Sequence, residues 1–201
     1  LIGYWWRHAD PDGLVTIGGL GDWVDTLWPT QNTPTRAVSG FYTLLAVQYM
    51  SLFANVLGKQ DDVVKWDQLL ATGKAAYHAR FYNTTAGGYC ADALSPRGSQ
   101  CANIMALYLG TVPEPLISTV AQSLVADIQA NGNHTTSGIV GSTFVFDVLT
   151  AAGYSDVALQ LLLRDDFPSF GHMVAEGATT LWENWQGSRS GRWSNVSIHS
   201  C

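Results

Sequence analysis

The chain has 201 residues, is 47% hydrophobic and 13% charged, and carries a net charge of −6. That is enough apolar chain to bury the core of one domain, while the scattered lysines and arginines form no stripe that could neutralise phosphates, which argues against nucleic acid as a partner. No apolar run reads as long enough to cross a bilayer, so a membrane is not an expected partner either.

In chain order, residues 1–201 read as part of one domain with no internal boundary. The sequence starts without Met, in mid-pattern at Leu1, and stops at Cys201 after a polar loop, which is the expectation for a fragment. A glycine-rich turn (Gly18, Gly19, Gly21) surrounds Asp22 and Trp23. Thr33-Pro34 then opens a helix predicted over 36–57, with apolar residues at helical spacing and Gly58 as its stop. A second helix is predicted over 61–81, with acidic residues in its first turn. The grammar repeats: helices over 99–109 and 113–130 flank Gly110, and helices over 138–152 and 155–164 flank Gly153. Longer polar stretches separate the pairs, at 82–98, at 131–137 and from 165 onward.

Three consecutive αα-hairpins follow from this pattern. The first helix of each later pair is nearly all apolar or small, and its partner carries more charge. Inner helices buried all round and amphipathic outer ones are the signature of nested hairpins. The expected fold is therefore all-α, with αα-hairpins forming about half of an (α/α)6 barrel; an open α-solenoid shares the same local pattern. Antiparallel hairpins put short turns at one end and long loops at the other. Asp22, Tyr89, His134 and Glu183 should therefore meet on the loop-bearing end, where function usually sits.

The chemistry-bearing stretch is Gly177-Ala178-Thr179-Thr180-Leu181-Trp182-Glu183-Asn184-Trp185. It sets one of only three glutamates between two of eight tryptophans. A carboxylate walled by indoles suits sugar chemistry: the acid moves protons and flat rings stack on sugar C–H faces. A surface Glu beside two packing tryptophans is the plainer alternative, and convergence on the loop face favours the functional one. Asp22 and Trp23 read as a hydroxyl-binding acid beside a stacking ring, or as a turn-former beside a buried indole. His134 reads as a substrate contact or as a loop-closing hydrogen-bonder. Among the other carboxylates, Asp10, Asp12, Asp165 and Asp166 read as solvated or capping. No Cys/His/carboxylate spacing suits a metal, and no cofactor is expected. Cys90 and Cys101 could close a small loop in an oxidising compartment. Three N-x-S/T sequons, at Asn83, Asn133 and Asn195, suggest a secreted glycoprotein.

These blocks together resemble the helical catalytic domain of bacterial-type α-L-rhamnosidases, glycoside hydrolase family seventy-eight. Gly19-Leu20-Gly21-Asp22-Trp23 is similar to the family's G-D-W block. Ser99-Gln100 followed by Leu109-Gly110-Thr111-Val112-Pro113 is similar to its "Q…A-L…L-G-L-V-P" stretch. Residues 133–142 are similar to "H-L-T-T-G-I-V-G-T", Phe167-Pro168-Ser169-Phe170-Gly171 to "Y-P-S-W-G", and residues 177–185 to "G-A-T-T-I-W-E-R-W". The resemblance runs from about Gly18 to Trp185 in the family's order. It implies inverting hydrolysis of terminal α-L-rhamnosides, with a small-molecule or oligosaccharide rhamnoside as partner. It makes Glu183 the general base, beside which Trp182 or Trp185, or both, are expected to wall the sugar site. It assigns the general acid to an upstream block that Arg7-His8-Ala9-Asp10 does not match, so that the chain holds one of the two carboxylates. The histidine of the family's S-x-N-H motif corresponds to His199, although Ile198 replaces the preceding Asn. Two other readings remain open: a non-catalytic carbohydrate-binding hairpin protein, and an (α/α)6 hydrolase or lyase acting on another sugar.

Overall fold

Three glycines in the left-handed region, Gly58 (φ 70°), Gly110 (φ 67°) and Gly153 (φ 85°), turn the chain back on itself three times. In each case the next residue's N–H reaches the carbonyl five residues earlier: Lys59 to Ala54 at 2.9 Å, Thr111 to Ala106 at 3.0 Å, and Tyr154 to Leu149 at 2.8 Å. This is the Schellman ending, which needs a residue free of the Cβ penalty at positive φ. The structure, a computed structural model, describes residues 7–26, 33, 35–90 and 98–186.

The three hairpins are α1 (Thr35–Val56) with α2 (Gln60–Phe81), α3 (Gln100–Leu109) with α4 (Ile117–Ala130), and α5 (Ile139–Ala151) with α6 (Ser155–Leu162). Helices α1, α3 and α5 pack in a row, and α2, α4 and α6 each pack against their own partner. The nested arrangement expected from composition is therefore present, and the fold is all-α. Burial follows it: in α3 every residue from Gln100 to Ala106 is buried, whereas α2 buries only Gly73, Tyr77 and Phe81. The α1–α2 contact is close because a Cβ on Gly73 would sit 2.2 Å from Leu44 Cδ2. Two apolar clusters fill the interior. One lies around Phe41, Tyr77, Met105 and Val120, the other around Ile104, Leu124, Val148 and Leu161.

Some elements differ from the sequence-based expectation. The helix expected over 113–130 begins as a 3-10 turn, Glu114–Leu116, in which Leu116 N donates to Pro113 O at 2.8 Å. A two-residue hairpin, β1 (Tyr82–Asn83) with β2 (Gly88–Tyr89), and a six-residue helix, α7 (Phe170–Ala175), were not anticipated. Cys90 and Cys101 are buried thiols and form no disulfide. Contrary to the expectation, one helix, α1, is long and apolar enough to cross a membrane by length and composition. Its buried side, with Phe41 fully enclosed, belongs to the protein's own core.

Candidate functional site

The first turn of α5 is the anchor of the site. Its free main-chain N–H groups need acceptors, and these come from a segment more than a hundred residues earlier. Asp22 Oδ2 accepts from Gly138 N at 2.7 Å, and Oδ1 accepts from Val140 N at 3.0 Å and Gly141 N at 3.2 Å. Asp22 is 1% exposed. Burial pushes its carboxyl above the ordinary range, an effect that the helix N–H donors partly oppose. Both oxygens are thus committed to the helix. The hydroxyl-binding reading of Asp22 is corrected to a helix cap supplied from afar.

Trp23 continues the same docking. Its carbonyl accepts from Ile139 N at 3.0 Å. A Cβ on Gly138 would lie 2.1 Å from that carbonyl oxygen, so only glycine lets the turn approach so closely. Val24 then adopts φ 51°, which is strained for a β-branched residue. The loop leading into the turn is tied to α2: Asp10 Oδ2 accepts from Thr16 Oγ1 and from Arg80, both at 2.6 Å, and Arg80 also pairs with Asp12. Thr16 and Arg80 hold the Asp10 carboxyl below the ordinary range. Asp10 and Asp12 are therefore paired rather than merely solvated.

The half-buried Trp23 indole donates Nε1–H to Glu183 Oε1 at 2.9 Å, across 160 residues of sequence. Glu183 is itself half-buried, as is Trp182. Trp185 is different. It is 6% exposed, donates Nε1–H to Ser137 O at 2.8 Å, and packs its ring on Phe170 with centroids 5.2 Å apart. Its expected place in an open sugar-facing wall is corrected to a packing role that pins the Glu183 loop beside the start of α5.

His134 is also occupied. Its Nδ1 meets Pro168 O at 3.0 Å and its Nε2 meets Asp166 Oδ2 at 3.3 Å. Arg164 grips the same Asp166 and holds its carboxyl down to about 2. The loop-closing reading of His134 fits this geometry, with 12% of the side chain exposed. His134 joins the network through a residue that the sequence reading did not single out as functional. Gln100, 1% exposed, donates Nε2–H to His134 O at 3.4 Å and accepts from Thr136 N at 2.9 Å. The signal was an amide side chain at the opening of a mostly apolar helix.

Asp22, Trp23, Trp185 and Glu183 are thus brought together around the start of α5, with His134 attached through Gln100. Tyr89 is not among them. Its main chain meets Ser99 at the opening of α3, but its side chain is fully buried and its hydroxyl reaches His78 at 2.7 Å and Thr111 O, at the other end of α3, at 3.3 Å. His199 lies outside the described residues, as do Trp5, Trp6, Trp28 and Trp193. Among the described residues no group of His, Cys, Asp and Glu gathers as a metal site. The arrangement leaves Glu183 as a half-open carboxylate. One oxygen accepts an indole N–H, and Oε2 has no donor among the described residues. Such a group can accept a proton.

Comparison with known proteins converges on one family. The profile of the bacterial α-L-rhamnosidase 6 hairpin glycosidase domain matches residues 5–201. An α-L-rhamnosidase of Streptomyces avermitilis is 29% identical over 90% of this chain and 17% of its own length, and one from Alteromonas sp. is 26% identical over 90% of this chain and 20% of its own. The solved α-L-rhamnosidase of Dictyoglumus thermophilum superposes with a TM-score of 0.83 at 34% identity, covering 92% of this chain and 20% of that one. The Streptomyces avermitilis α-L-rhamnosidase complexed with L-rhamnose superposes with a TM-score of 0.77 at 28% identity, covering 92% and 17%. The chain therefore spans about a fifth of the length of these relatives.

Proposed function

This chain belongs to the bacterial α-L-rhamnosidase six-hairpin glycosidase family, and from that premise we propose that the protein it forms hydrolyses terminal α-L-rhamnosides with inversion, with Glu183 as general base. The observation that carries the proposal is the state of Glu183: half-buried, in the W-E-x-W block, with one oxygen engaged by Trp23 and the other without a donor among the described residues.

In an inverting hydrolysis one carboxylic acid protonates the leaving oxygen while a carboxylate on the opposite face of the ring deprotonates water. The two stand about 6.5–9.5 Å apart so that the water fits between them. Glu183 Oε2 takes the water's proton as the oxygen attacks the anomeric carbon. The general acid is assigned, on the strength of the family resemblance, to a block outside these 201 residues; within the network Asp22 is spent on the helix start and Asp166 is paired with Arg164. Trp182 and the face of Trp23 wall the sugar, and His134 shapes the adjoining loop through Asp166 and Pro168. His199 is proposed to contact the sugar on the strength of its motif alone. The three sequons support a secreted protein.

Glu183→Gln in the full-length protein tests the assignment. Glutamine keeps the acceptor for the Trp23 N–H but cannot take the proton from water. General base catalysis contributes roughly 10²–10⁴-fold, so kcat on an aryl α-L-rhamnoside is expected to fall by that factor, with KM changed far less. NMR of the first-formed sugar is expected to show inverted anomeric configuration. Near-normal kcat in the variant, or retained configuration in the wild type, overturns the assignment.

A further inference from the structure

We propose that Trp23 is a positioning residue for Glu183, and that it acts through its indole N–H rather than only as a ring face. The proposal rests on the reading of Glu183 as the base. A carboxylate that must take a proton from one water has two oxygens and free rotation at its last torsion. A fixed donor on Oε1 removes that freedom and leaves Oε2 as the basic atom. Trp23 Nε1 supplies the donor at 2.9 Å.

What makes the donor fixed is its own support. The residue before it, Asp22, is clamped by three main-chain N–H groups of α5. Its own carbonyl is held by Ile139 N at 3.0 Å. The residue after it, Val24, is kept at φ 51°, a conformation that persists only where its surroundings over-determine it. The Glu183 loop is referred to the same place, because Trp185 is bonded to Ser137 O at 2.8 Å, directly before the helix. Base and donor are therefore registered against one rigid element, the start of α5, instead of against two separate loops. The three glycine-rich positions ahead of the turn and the strained Val24 are otherwise unexplained by a simple stacking tryptophan.

Two substitutions remove the N–H and keep a ring: Trp23→Phe, and replacement of Trp23 by β-(3-benzothienyl)alanine, which preserves the bicyclic shape should phenylalanine leave a destabilising void. Each is made in the full-length protein, alone and together with Glu183→Gln. In the otherwise wild-type protein, kcat is expected to fall roughly 10- to 100-fold, with KM within about twofold. In the Glu183→Gln background the same replacement is expected to cost less than about twofold, because its effect passes through a group already disabled. Melting temperatures of the benzothienyl variants are expected to stay within about 2 °C of their parents. Unchanged kcat with the N–H removed overturns the proposal. So does a loss confined to KM, which would make Trp23 a stacking face only, and so do losses that multiply across the two backgrounds. A Glu183→Gln protein that keeps normal kcat overturns the underlying assignment instead, and is read from the single variant alone.

Discussion

Asp22 shows how a functional-looking residue can serve a structural end. Its carboxylate sits on three N–H groups of one helix start. Asparagine has the same shape but one acceptor oxygen: with that oxygen on Val140 and Gly141, its amide group faces the Gly138 N–H donor to donor. Asp22→Asn is therefore expected to destabilise the domain by about 1–3 kcal/mol, the cost of an unmet buried donor, visible as a lower thermal midpoint. The pH dependence has a definite sign. Burial raises the Asp22 carboxyl above its unfolded value of about 3.9. Between those two values the folded protein keeps a proton that the unfolded chain has released, so this contribution falls as pH rises. Asparagine does not titrate, so the stability difference between wild type and variant is expected to be larger near pH 4 than near pH 7. A difference that grows with pH would mean that the helix donors outweigh burial. None of this was legible locally, because the partners of Asp22 lie 116 to 119 residues away. The same holds for Trp185. The sequence shows two indoles flanking Glu183, but only Phe170 and Ser137 decide that Trp185 is packed inside and Trp182 is not.

At the scale of elements, glycines mark what the sequence discloses well. Beyond the three hairpin turns, Gly132 (φ 70°) and Gly177 (φ 90°) end α4 and α7 in the same way, with Asn133 N on Ile128 O and Ala178 N on Met173 O, both at 2.9 Å. The six long helices could be read because their apolar periodicity continues until such a stop. The two-residue strands and the six-residue α7 could not, since neither is long enough to show a period. Gly138 is a different kind of glycine, and a pair of substitutions separates the two. Gly153 has φ 85° and nothing within 4 Å of an added Cβ. Alanine there meets only left-handed strain, about 1–2 kcal/mol, at the end of the hairpins away from Glu183. Gly138 has φ −85°, acceptable to alanine, but its Cβ would strike Trp23 O at 2.1 Å and Asp22 O at 2.8 Å. Gly153→Ala is expected to lower the melting temperature and leave kcat unchanged. Gly138→Ala is expected to lower both, because the turn that carries Trp23 must move away from α5. Equal kinetic effects from the two would argue against the start of α5 as the reference point of the site.

Over the whole molecule, the antiparallel hairpins divide labour between their ends. The turns at Gly58, Gly110 and Gly153 only reverse the chain, whereas the opposite end gathers the polar network of Asp22, Gln100, His134 and Glu183. That division was legible from loop lengths alone, as was the position of the one half-open glutamate within it. Which residues of the network stay accessible was not, because accessibility depends on contacts between hairpins. The consequence for chemistry is that, among the described residues of this network, Glu183 is the one candidate proton acceptor. Asp22 is buried and spent, and Asp166 is gripped by Arg164 and held down to about 2, where it does not serve as an acid near neutral pH. Meanwhile Tyr49, Leu52, Phe53 and Val56 leave the outer part of α1 exposed and apolar, in a chain that spans 17 to 20% of its rhamnosidase relatives. Without a partner carboxylic acid, an inverting hydrolysis forfeits a further factor of roughly 10²–10⁴. The 201 residues expressed alone are therefore expected to release no measurable phenol from an aryl α-L-rhamnoside under conditions where the full-length protein is active. Turnover by the isolated chain within about tenfold of the full-length rate would show that the second carboxylate lies within these residues.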